Sequence, residues 1–425
     1  MLDGVKKQTI SFKFSSNLIV FPMEVNGRKL NFILDSGVGS TLLFNLNEQD
    51  SVVLKNVEKK KLKGLGSEES VDAILSTGNE FKLPNIVSRN EKLYVISNDN
   101  FDLSSKMGLT IHGIIGYEIL KDFSVKINYS TKKLTFYSPD SYNYNNCRKC
   151  ETFKIEFRML KPYINVGVKL NENSSKITPV KLLIDSGGSD ALWLFENSHS
   201  DIISPEYYFN DFLGEGLSGV VTGKRSKIES LIMGTFEFKN PTVSYPDSSS
   251  IGSALQFEER NGSIGAGILK RFTVLFDYQN NKITFKKGSR YKEPFRYNMS
   301  GIELVYNGKI LVKEKDQGAI SYKGETPTNG FKVTLDYNYK FIFKPTYRVE
   351  NLRKDSPAYE AGVRPGDVLI KINGKYTYDL KLDEIVAKFY EKENTKIELV
   401  VERDGIDYQY SFKLRDAIAQ KKASK

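Results

Sequence analysis

The chain has 425 residues, of which 40% are hydrophobic and 27% charged, so it has enough apolar material for several buried cores. Its net charge of +10 would suit a nucleic acid or a membrane surface, but lysine is interspersed with Asp and Glu along most of the sequence. We therefore interpret the charge as a solvated basic surface and expect no nucleic-acid partner. Two histidines and two cysteines are too few to favour a zinc site or a Ser-His-Asp triad, and no metal or cofactor is expected.

The composition predicts a mostly β protein, because Tyr, Phe, Val and Ile occur in short runs and glycine is frequent enough for many turns. No apolar run reaches the roughly 18 residues of a membrane span, so no transmembrane segment is expected. Residues 1–7 lack the apolar core of a signal peptide. The spacing of Cys147 and Cys150 is compatible with a local disulfide and also with two free thiols.

An internal repeat organises the first 290 residues. Residues 30–44 (LNFILDSGVGSTLLF) are similar to residues 180–194 (VKLLIDSGGSDALWL), so that Asp35-Ser36-Gly37 recurs as Asp185-Ser186-Gly187 after 150 positions. Each motif follows an apolar run that predicts a buried strand. A carboxylate at the end of such a strand is costly unless it is paired or hydrogen-bonded, and the following glycine allows a sharp turn. Two such motifs at matching positions indicate a site with chemistry.

Further parts of the repeat follow in the same order in both halves. A glycine-rich patch comes first, with Gly64, Leu65 and Gly66 in one copy and Gly214, Gly216 and Gly219 in the other. Residues 113–123 (GIIGYEILKDF) then match residues 262–272 (GSIGAGILKRF). Alternating residues in 124–136 and 273–285 predict one β-hairpin in each half.

Each half resembles the aspartic peptidases, the clan that includes the retroviral proteases and pepsin. The family signature is Asp-Thr/Ser-Gly followed by an apolar-apolar-Gly element; residues 114–116 match that element, and residues 263–265 have a polar first position. The resemblance implies two homologous β-barrel lobes with a substrate cleft between them and a catalytic dyad of Asp35 and Asp185. It also implies that Ser36 and Ser186 hydrogen-bond across the lobe interface and that Gly37 and Gly187 let the two loops meet.

In this family the two carboxyl groups share a proton, so one acts as a general base on water and the other as a general acid, without a metal. The two glycine-rich patches lie where the family has a flap or its counterpart, although an ordinary exposed turn would have a similar sequence. No tyrosine lies near Gly64, which favours the retroviral type of flap.

Residues 347–374 resemble a PDZ domain, with Ser-Pro-Ala, Ala-Gly, Pro-Gly-Asp-Val-Leu and Ile-Asn-Gly in the family's order. Ser356-Pro357 predicts the start of a short helix and Gly362 its end. Residues 379–389 predict an amphipathic helix, and residues 396–402 a strand.

PDZ domains add an extended peptide to a sheet edge and hold its C-terminal carboxylate with backbone N–H groups. Two segments could form the carboxylate loop, Ser300-Gly301-Ile302 and residues 329–333. We favour the first, because residues 300–313 read as the opening hairpin of the domain, with residues 314–346 as an insertion. A degenerate PDZ domain without ligand binding is the alternative.

The sequence thus predicts an N-terminal peptidase lobe (1–145), a C-terminal peptidase lobe (146–292), a PDZ domain with an insertion (293–417) and a tail (418–425). We expect an aspartic endopeptidase with a polypeptide substrate, and C-terminal peptides as possible PDZ ligands. A non-catalytic peptide-binding protein is the alternative. Because both aspartates lie in one chain, we expect one dyad per monomer. The resemblance to exported bacterial peptidases with a PDZ domain implies a periplasmic or cell-surface location.

Overall fold

A computed structural model describes residues 1–46, 48–66, 69–96, 102–139, 141–144, 147, 149–171, 175–325 and 332–419, with only the backbone at residues 49, 316–325 and 332–338. The chain forms two compact units. One comprises Met1–Ser104, Leu109–Tyr297 and Asp416–Lys425, and the other Ser105–Gly108 and Asn298–Arg415. The protein is mostly β, as predicted. Within the described ranges, no helix has the length and apolarity needed to cross a membrane.

The first half of the larger unit is built from short strands. Its elements are β1 (Lys7–Ser11), β2 (Lys13–Ser15), β3 (Leu18–Val25), β4 (Arg28–Leu34), β5 (Thr41–Leu43), a 3-10 turn (Glu48–Asp50), β6 (Val57–Leu62), β7 (Val71–Leu83), β8 (Ile86–Ile96), α1 (Leu103–Met107), β9 (Gly113–Ile115), α2 (Tyr117–Leu120), β10 (Ser124–Asn128) and β11 (Lys133–Tyr137).

Strand β9 lies between the two strands that flank the first Asp-Ser-Gly motif. It runs parallel to β4, with Ile33 opposite Ile114, and antiparallel to β5, with Leu42 opposite the same residue. The apolar run at the end of β4 is buried as predicted, because Phe32 and its neighbours face the core. The loop between β4 and β5 therefore leaves the sheet next to the end of β9.

The second half repeats this arrangement. Its elements are β12 (Cys150–Lys154), β13 (Glu156–Arg158), β14 (Lys161–Lys169), β15 (Thr178–Ile184), β16 (Leu192–Leu194), β17 (Phe209–Gly216), β18 (Gly219–Lys227), β19 (Ser230–Met233), β20 (Phe236–Lys239), β21 (Thr242–Pro246), a 3-10 turn (Ser248–Ser250), α3 (Gly252–Leu255), β22 (Gly262–Ile264), α4 (Ala266–Leu269), β23 (Phe272–Asp277) and β24 (Lys282–Lys287). Strand β22 lies between β15 and β16, as β9 lies between β4 and β5.

A six-stranded antiparallel sheet joins the two halves, in the order β1-β11-β10-β23-β24-β12. Both predicted hairpins are confirmed and supply its four central strands. The halves meet where β10 pairs with β23, with Val125 opposite Phe276. Cys147 and Cys150 form a disulfide at the start of β12, so the two cysteines are not free thiols.

The smaller unit contains β25 (Ile302–Glu325), β26 (Lys332–Leu352), α5 (Pro357–Ala361), β27 (Val368–Ile372), β28 (Lys375–Tyr376), a 3-10 turn (Thr377–Asp379), α6 (Leu382–Phe389), β29 (Lys396–Arg403) and β30 (Ile406–Lys413). The Ser356 hydroxyl caps α5 by accepting from the Tyr359 N–H, and Gly362 ends that helix with a φ of 109°. Both predictions are confirmed. Strand β25 lies at one end of the sheet order β25-β26-β27-β29-β30.

The prediction of an opening hairpin within residues 300–313 is wrong. Strand β25 continues through this stretch to Glu325 and pairs along its length with β26. Gly308, with a φ of 79°, forms a bulge between the pairs Tyr306–Tyr347 and Lys309–Pro345, and the chain does not reverse there. The other candidate carboxylate loop, residues 329–333, begins with three residues that lie outside the described ones.

Candidate active site

The two aspartates leave their strands in the same way. The Asp35 N–H donates to the Ile115 carbonyl at 2.9 Å, and the Asp185 N–H donates to the Ile264 carbonyl at 2.9 Å. Each apolar-apolar-Gly element thus supports the aspartate loop of its own half. A Cβ on Gly116 would overlap the carbonyl oxygen of Asp35, which explains the glycine at that position.

Two serines connect the loops across the pseudo-twofold axis. The Ser36 hydroxyl donates to the Ile184 carbonyl at 2.7 Å and accepts from the Ser186 N–H at 3.0 Å. Reciprocally, the Ser186 hydroxyl donates to the Leu34 carbonyl at 2.9 Å and accepts from the Ser36 N–H at 2.9 Å. Both side chains are almost fully buried. Four hydrogen bonds therefore fix the position of one loop relative to the other.

The carboxyl groups of Asp35 and Asp185 meet between these loops, close enough for the charge of Asp185 to act on Asp35. A Cβ built on Gly37 would lie 3.1 Å from Oδ1 of both aspartates, whereas a Cβ on Gly187 would overlap the Asp35 carboxyl. The Gly37 N–H also donates to Asp35 Oδ1 at 2.6 Å, and the Gly187 N–H donates to Asp185 Oδ1 at 3.0 Å. The structure thus brings all six residues of the two motifs together.

Burial and the neighbouring Asp185 carboxylate raise the pKa of Asp35 to about 8. The Gly37 N–H and the charge of Lys161 act in the opposite direction and lower this pKa. Two adjacent carboxyl groups, of which Asp35 has a raised pKa, hold one proton between them over a wide pH range. Such a pair can accept a proton from water and donate one to a substrate oxygen.

Lys161, Tyr163 and Arg260 surround this pair, and the sequence did not indicate them. Burial lowers the pKa of both Lys161 and Arg260. The Arg260 guanidinium donates to the Ser263 hydroxyl at 2.7 Å, and its charge acts on the Tyr163 phenol. Only the pairing register of β14 with β15 places Lys161 near Asp185, and that register is not visible in the sequence.

The two glycine-rich patches contact each other. Gly66 forms a parallel bridge with Ser218, whose N–H donates to the Leu65 carbonyl at 2.8 Å. The Gly64 N–H donates to the Ser218 hydroxyl at 3.1 Å. Leu65 packs against a cluster in the second half formed by Phe195, Ile251, Ala254 and Trp193. Loops from the two halves thus contact each other.

Gly214, Gly216 and Gly219 belong to the hairpin of β17 and β18, at whose tip Ser218 lies. A Cβ on Gly216 would overlap the Leu65 carbonyl, so this glycine allows the close approach of the first loop. Ser67, next to the first patch, lies outside the described residues.

Two family models match parts of this chain. Residues 21–119 match the family model described as aspartyl protease, and residues 348–403 match that of the PDZ domain. The chain contains an aspartyl protease domain and a PDZ domain. The aspartyl protease match includes Asp35, the first glycine-rich patch and Gly116.

Curated relatives match only part of the chain. A probable CtpA-like serine protease of Staphylococcus saprophyticus is 43% identical over 114 residues, which are 25% of this chain and 23% of that protein. Proteins with the same description in Staphylococcus aureus strains COL and N315 are 50% identical over 50 residues, 12% of this chain and 10% of each relative. The chain spans less than a quarter of the length of these relatives.

In the smaller unit, the segment Ser300-Gly301-Ile302 leads into the edge strand β25, which begins at Ile302. The N–H groups of Ser300 and Gly301 donate to Asn298 Oδ1 at 3.0 and 3.2 Å, and the Ile302 N–H donates to the Ser300 hydroxyl at 3.0 Å. Ser300 is fully buried. The N–H groups that would hold a peptide carboxylate therefore already have partners within this segment.

Across the described residues, no group of three or more His, Cys, Asp or Glu side chains is arranged to hold a metal ion. The two histidines are far apart in the sequence, and His112 is buried, accepting from the Asn31 N–H at 3.0 Å through Nδ1.

Proposed function

We propose that this chain is an aspartic endopeptidase whose dyad is Asp35 and Asp185. The aspartyl protease domain supports a peptidase in general terms. The observation that carries the aspartic type is the reciprocal hydrogen bonding of Ser36 and Ser186, which holds the two carboxyl groups in contact. A single proton shared between them prepares the pair for general acid–base catalysis.

In the proposed reaction, a water molecule lies between the dyad and the scissile carbonyl. The ionised carboxylate takes a proton from water while the water oxygen bonds to the carbonyl carbon. The protonated carboxyl gives its proton to the carbonyl oxygen, which forms a tetrahedral diol. Proton transfer to the amide nitrogen then lets the C–N bond break, releasing an amine and a carboxylic acid and returning one proton to the dyad.

We assign residues 1–145 and 146–292 to the two peptidase lobes and residues 293–417 to the PDZ domain with its insertion. The contact between the Leu65 loop and the β17–β18 hairpin supports flaps from both lobes, as in the retroviral type. The edge of β25, beside Ser300, Gly301 and Ile302, is our candidate surface for an extended polypeptide.

The Cys147–Cys150 disulfide supports an exported bacterial protein, since disulfides persist in oxidising compartments. The relatives' description as serine proteases is a statement about those proteins, and their matches cover at most a quarter of this chain. We propose the aspartic type because the dyad geometry has its own set of hydrogen bonds.

Cleavage of an unstructured protein between about pH 4 and 7 tests this function. Wild type should cleave, and Asp35→Asn and Asp185→Asn should each lower the rate by about 10²–10⁴-fold, the usual contribution of acid–base groups. Asp72→Asn, at an exposed position on β7, is the matched control and should keep full activity. Equal, background-level rates for wild type and both dyad variants would instead favour a non-catalytic peptide-binding protein.

A further inference from the structure

The two halves differ at one position beside the dyad. In the second half, the β14–β15 pairing ends where Tyr163 lies opposite Leu183, and Lys161 and Asp185 each lie two residues beyond that pair. In the first half, the β3–β4 pairing ends where Val20 lies opposite Ile33, and Leu18 and Asp35 each lie two residues beyond that pair. The repeat thus has a lysine at one of its equivalent positions and a leucine at the other.

The turn before Lys161 holds it at the lobe interface. Met159 and Leu160 connect β13 to β14 in the left-handed region, with φ values of 50° and 62°, which is unfavourable for such side chains. A Cβ on Gly39 would lie 3.0 Å from the Met159 carbonyl and 3.3 Å from the Leu160 Cβ. The strained turn is therefore packed against the loop that follows Asp35.

The equivalent turn of the first half has the mirrored contact. There, Asn17 donates from Nδ2 to the Ser189 carbonyl at 3.0 Å, in the loop that follows Asp185. In each half, the first hairpin turn thus contacts the aspartate loop of the other half. Only in the second half does a cationic side chain follow that turn.

Several charged and titratable groups lie around the aspartate pair, and they differ in which carboxyl group they act on. Lys161 interacts electrostatically with both Asp35 and Asp185. Arg260 acts on Asp185 and is itself hydrogen-bonded to the Ser263 hydroxyl. Tyr163 and Tyr278 are phenols whose pKa burial raises, so they are neutral when the dyad titrates. Lys161 is therefore a cation that acts on both carboxyl groups of the pair.

We propose that Lys161 is a positioning residue of the dyad, whose ammonium keeps one of the two carboxyl groups ionised and so sets the upper pH limit of the active form. This inference rests on the proposed function. A nearby cation favours the ionised form of a carboxyl, whereas burial favours the protonated form. Without the lysine, burial would keep the shared proton bound to higher pH.

The pH dependence of kcat/KM tests this inference. In Lys161→Met, the alkaline limb should move to higher pH by about one unit, because an opposite charge at close range lowers a carboxyl pKa by about one to three units. Lys161→Arg should keep the limb within a few tenths of a unit of wild type. Lys121→Met, which removes a partly buried lysine paired with Glu91, is the control and should not move it.

A second readout separates this inference from the proposed function. Carbon-13 NMR titration of labelled aspartate, with Asp35 assigned through Asp35→Asn, should show the same upward shift in Lys161→Met whether or not the protein cleaves. Absence of cleavage together with that shift would refute the peptidase and leave the charge coupling in place. An unmoved titration, or an equal shift in Lys161→Arg, would overturn the role of Lys161.

Discussion

The glycines of the two Asp-Ser-Gly motifs are not equivalent, although their sequences are identical. A Cβ at Gly37 would lie 3.1 Å from Oδ1 of each aspartate, a tight contact that a small displacement can relieve. A Cβ at Gly187 would overlap the carboxyl group of Asp35. The two positions therefore differ in how much a methyl group disturbs the dyad.

We predict that Gly187→Ala lowers kcat by at least about 10²-fold, because a displaced acid–base group loses most of its contribution. Gly37→Ala should retain at least about a tenth of the wild-type value. Steady-state kinetics of the two variants, with melting temperatures to verify folding, checks this. Equal losses in both would contradict the asymmetry of the dyad.

The raised pKa of Asp35 also predicts how stability depends on pH. The folded chain keeps a proton on this pair that an unfolded aspartate releases above about pH 4, so the free energy of unfolding should fall as pH rises from about 4 to about 8. Asp35→Asn removes this contribution. Its melting temperature should exceed that of wild type at about pH 8 and approach it at about pH 4. A constant difference across this range would argue against the raised pKa.

At the scale of elements, the N–H groups of the candidate carboxylate loop, Ser300-Gly301-Ile302, already have side-chain partners. Asn298 accepts from two loop N–H groups, and the Ser300 hydroxyl accepts from a third. A peptide carboxylate would have to displace these partners, at a cost of about 0.5–1.5 kcal/mol for each hydrogen bond.

We therefore predict that wild type binds a peptide with a free C-terminus and the matched amidated peptide with affinities within about threefold of each other. Asn298→Ala should free two N–H groups and favour the free carboxylate by about tenfold, as two recovered hydrogen bonds allow. Fluorescence anisotropy with matched peptides on the full chain measures both. A strong preference of wild type for the free carboxylate would contradict the prediction.

Much of the element pattern could be predicted from the sequence, and the failures have identifiable causes. The apolar runs before Asp35 and Asp185 became buried strands, and regular alternation predicted the two central hairpins correctly. The hairpin expected in residues 300–313 failed because Gly308 forms a bulge in a continuous strand. Bulge and turn use the same backbone conformation of glycine, so local sequence does not distinguish them.

Only some of the residues at the candidate site could be predicted from the sequence. The repeat indicated both aspartates because it preserves them at matching positions. The repeat does not indicate Lys161, because the equivalent residue of the first half is a leucine. Its place near Asp185 also depends on the strand register. Arg260 reaches the pair through Tyr163 and Ser263, a set of tertiary contacts that no periodicity predicts.

At the scale of the whole molecule, the duplication has a direct consequence for assembly. Both aspartate loops belong to one chain, and the β10–β23 pairing joins the two halves in one sheet. A retroviral-type site needs two chains, whereas this chain carries both halves of the site. We therefore expect a monomer to form one complete dyad.

Mixing the two dyad variants tests this central claim most directly. The cleavage rates of Asp35→Asn and Asp185→Asn are measured for each variant alone and for an equimolar mixture of the two. The cleavage rate of wild type is measured over a wide range of protein concentration. We predict that the cleavage rate of wild type is proportional to protein concentration and that the mixture is as inactive as either variant alone. Recovery of activity in the mixture would show that the dyad forms between chains and would contradict the account.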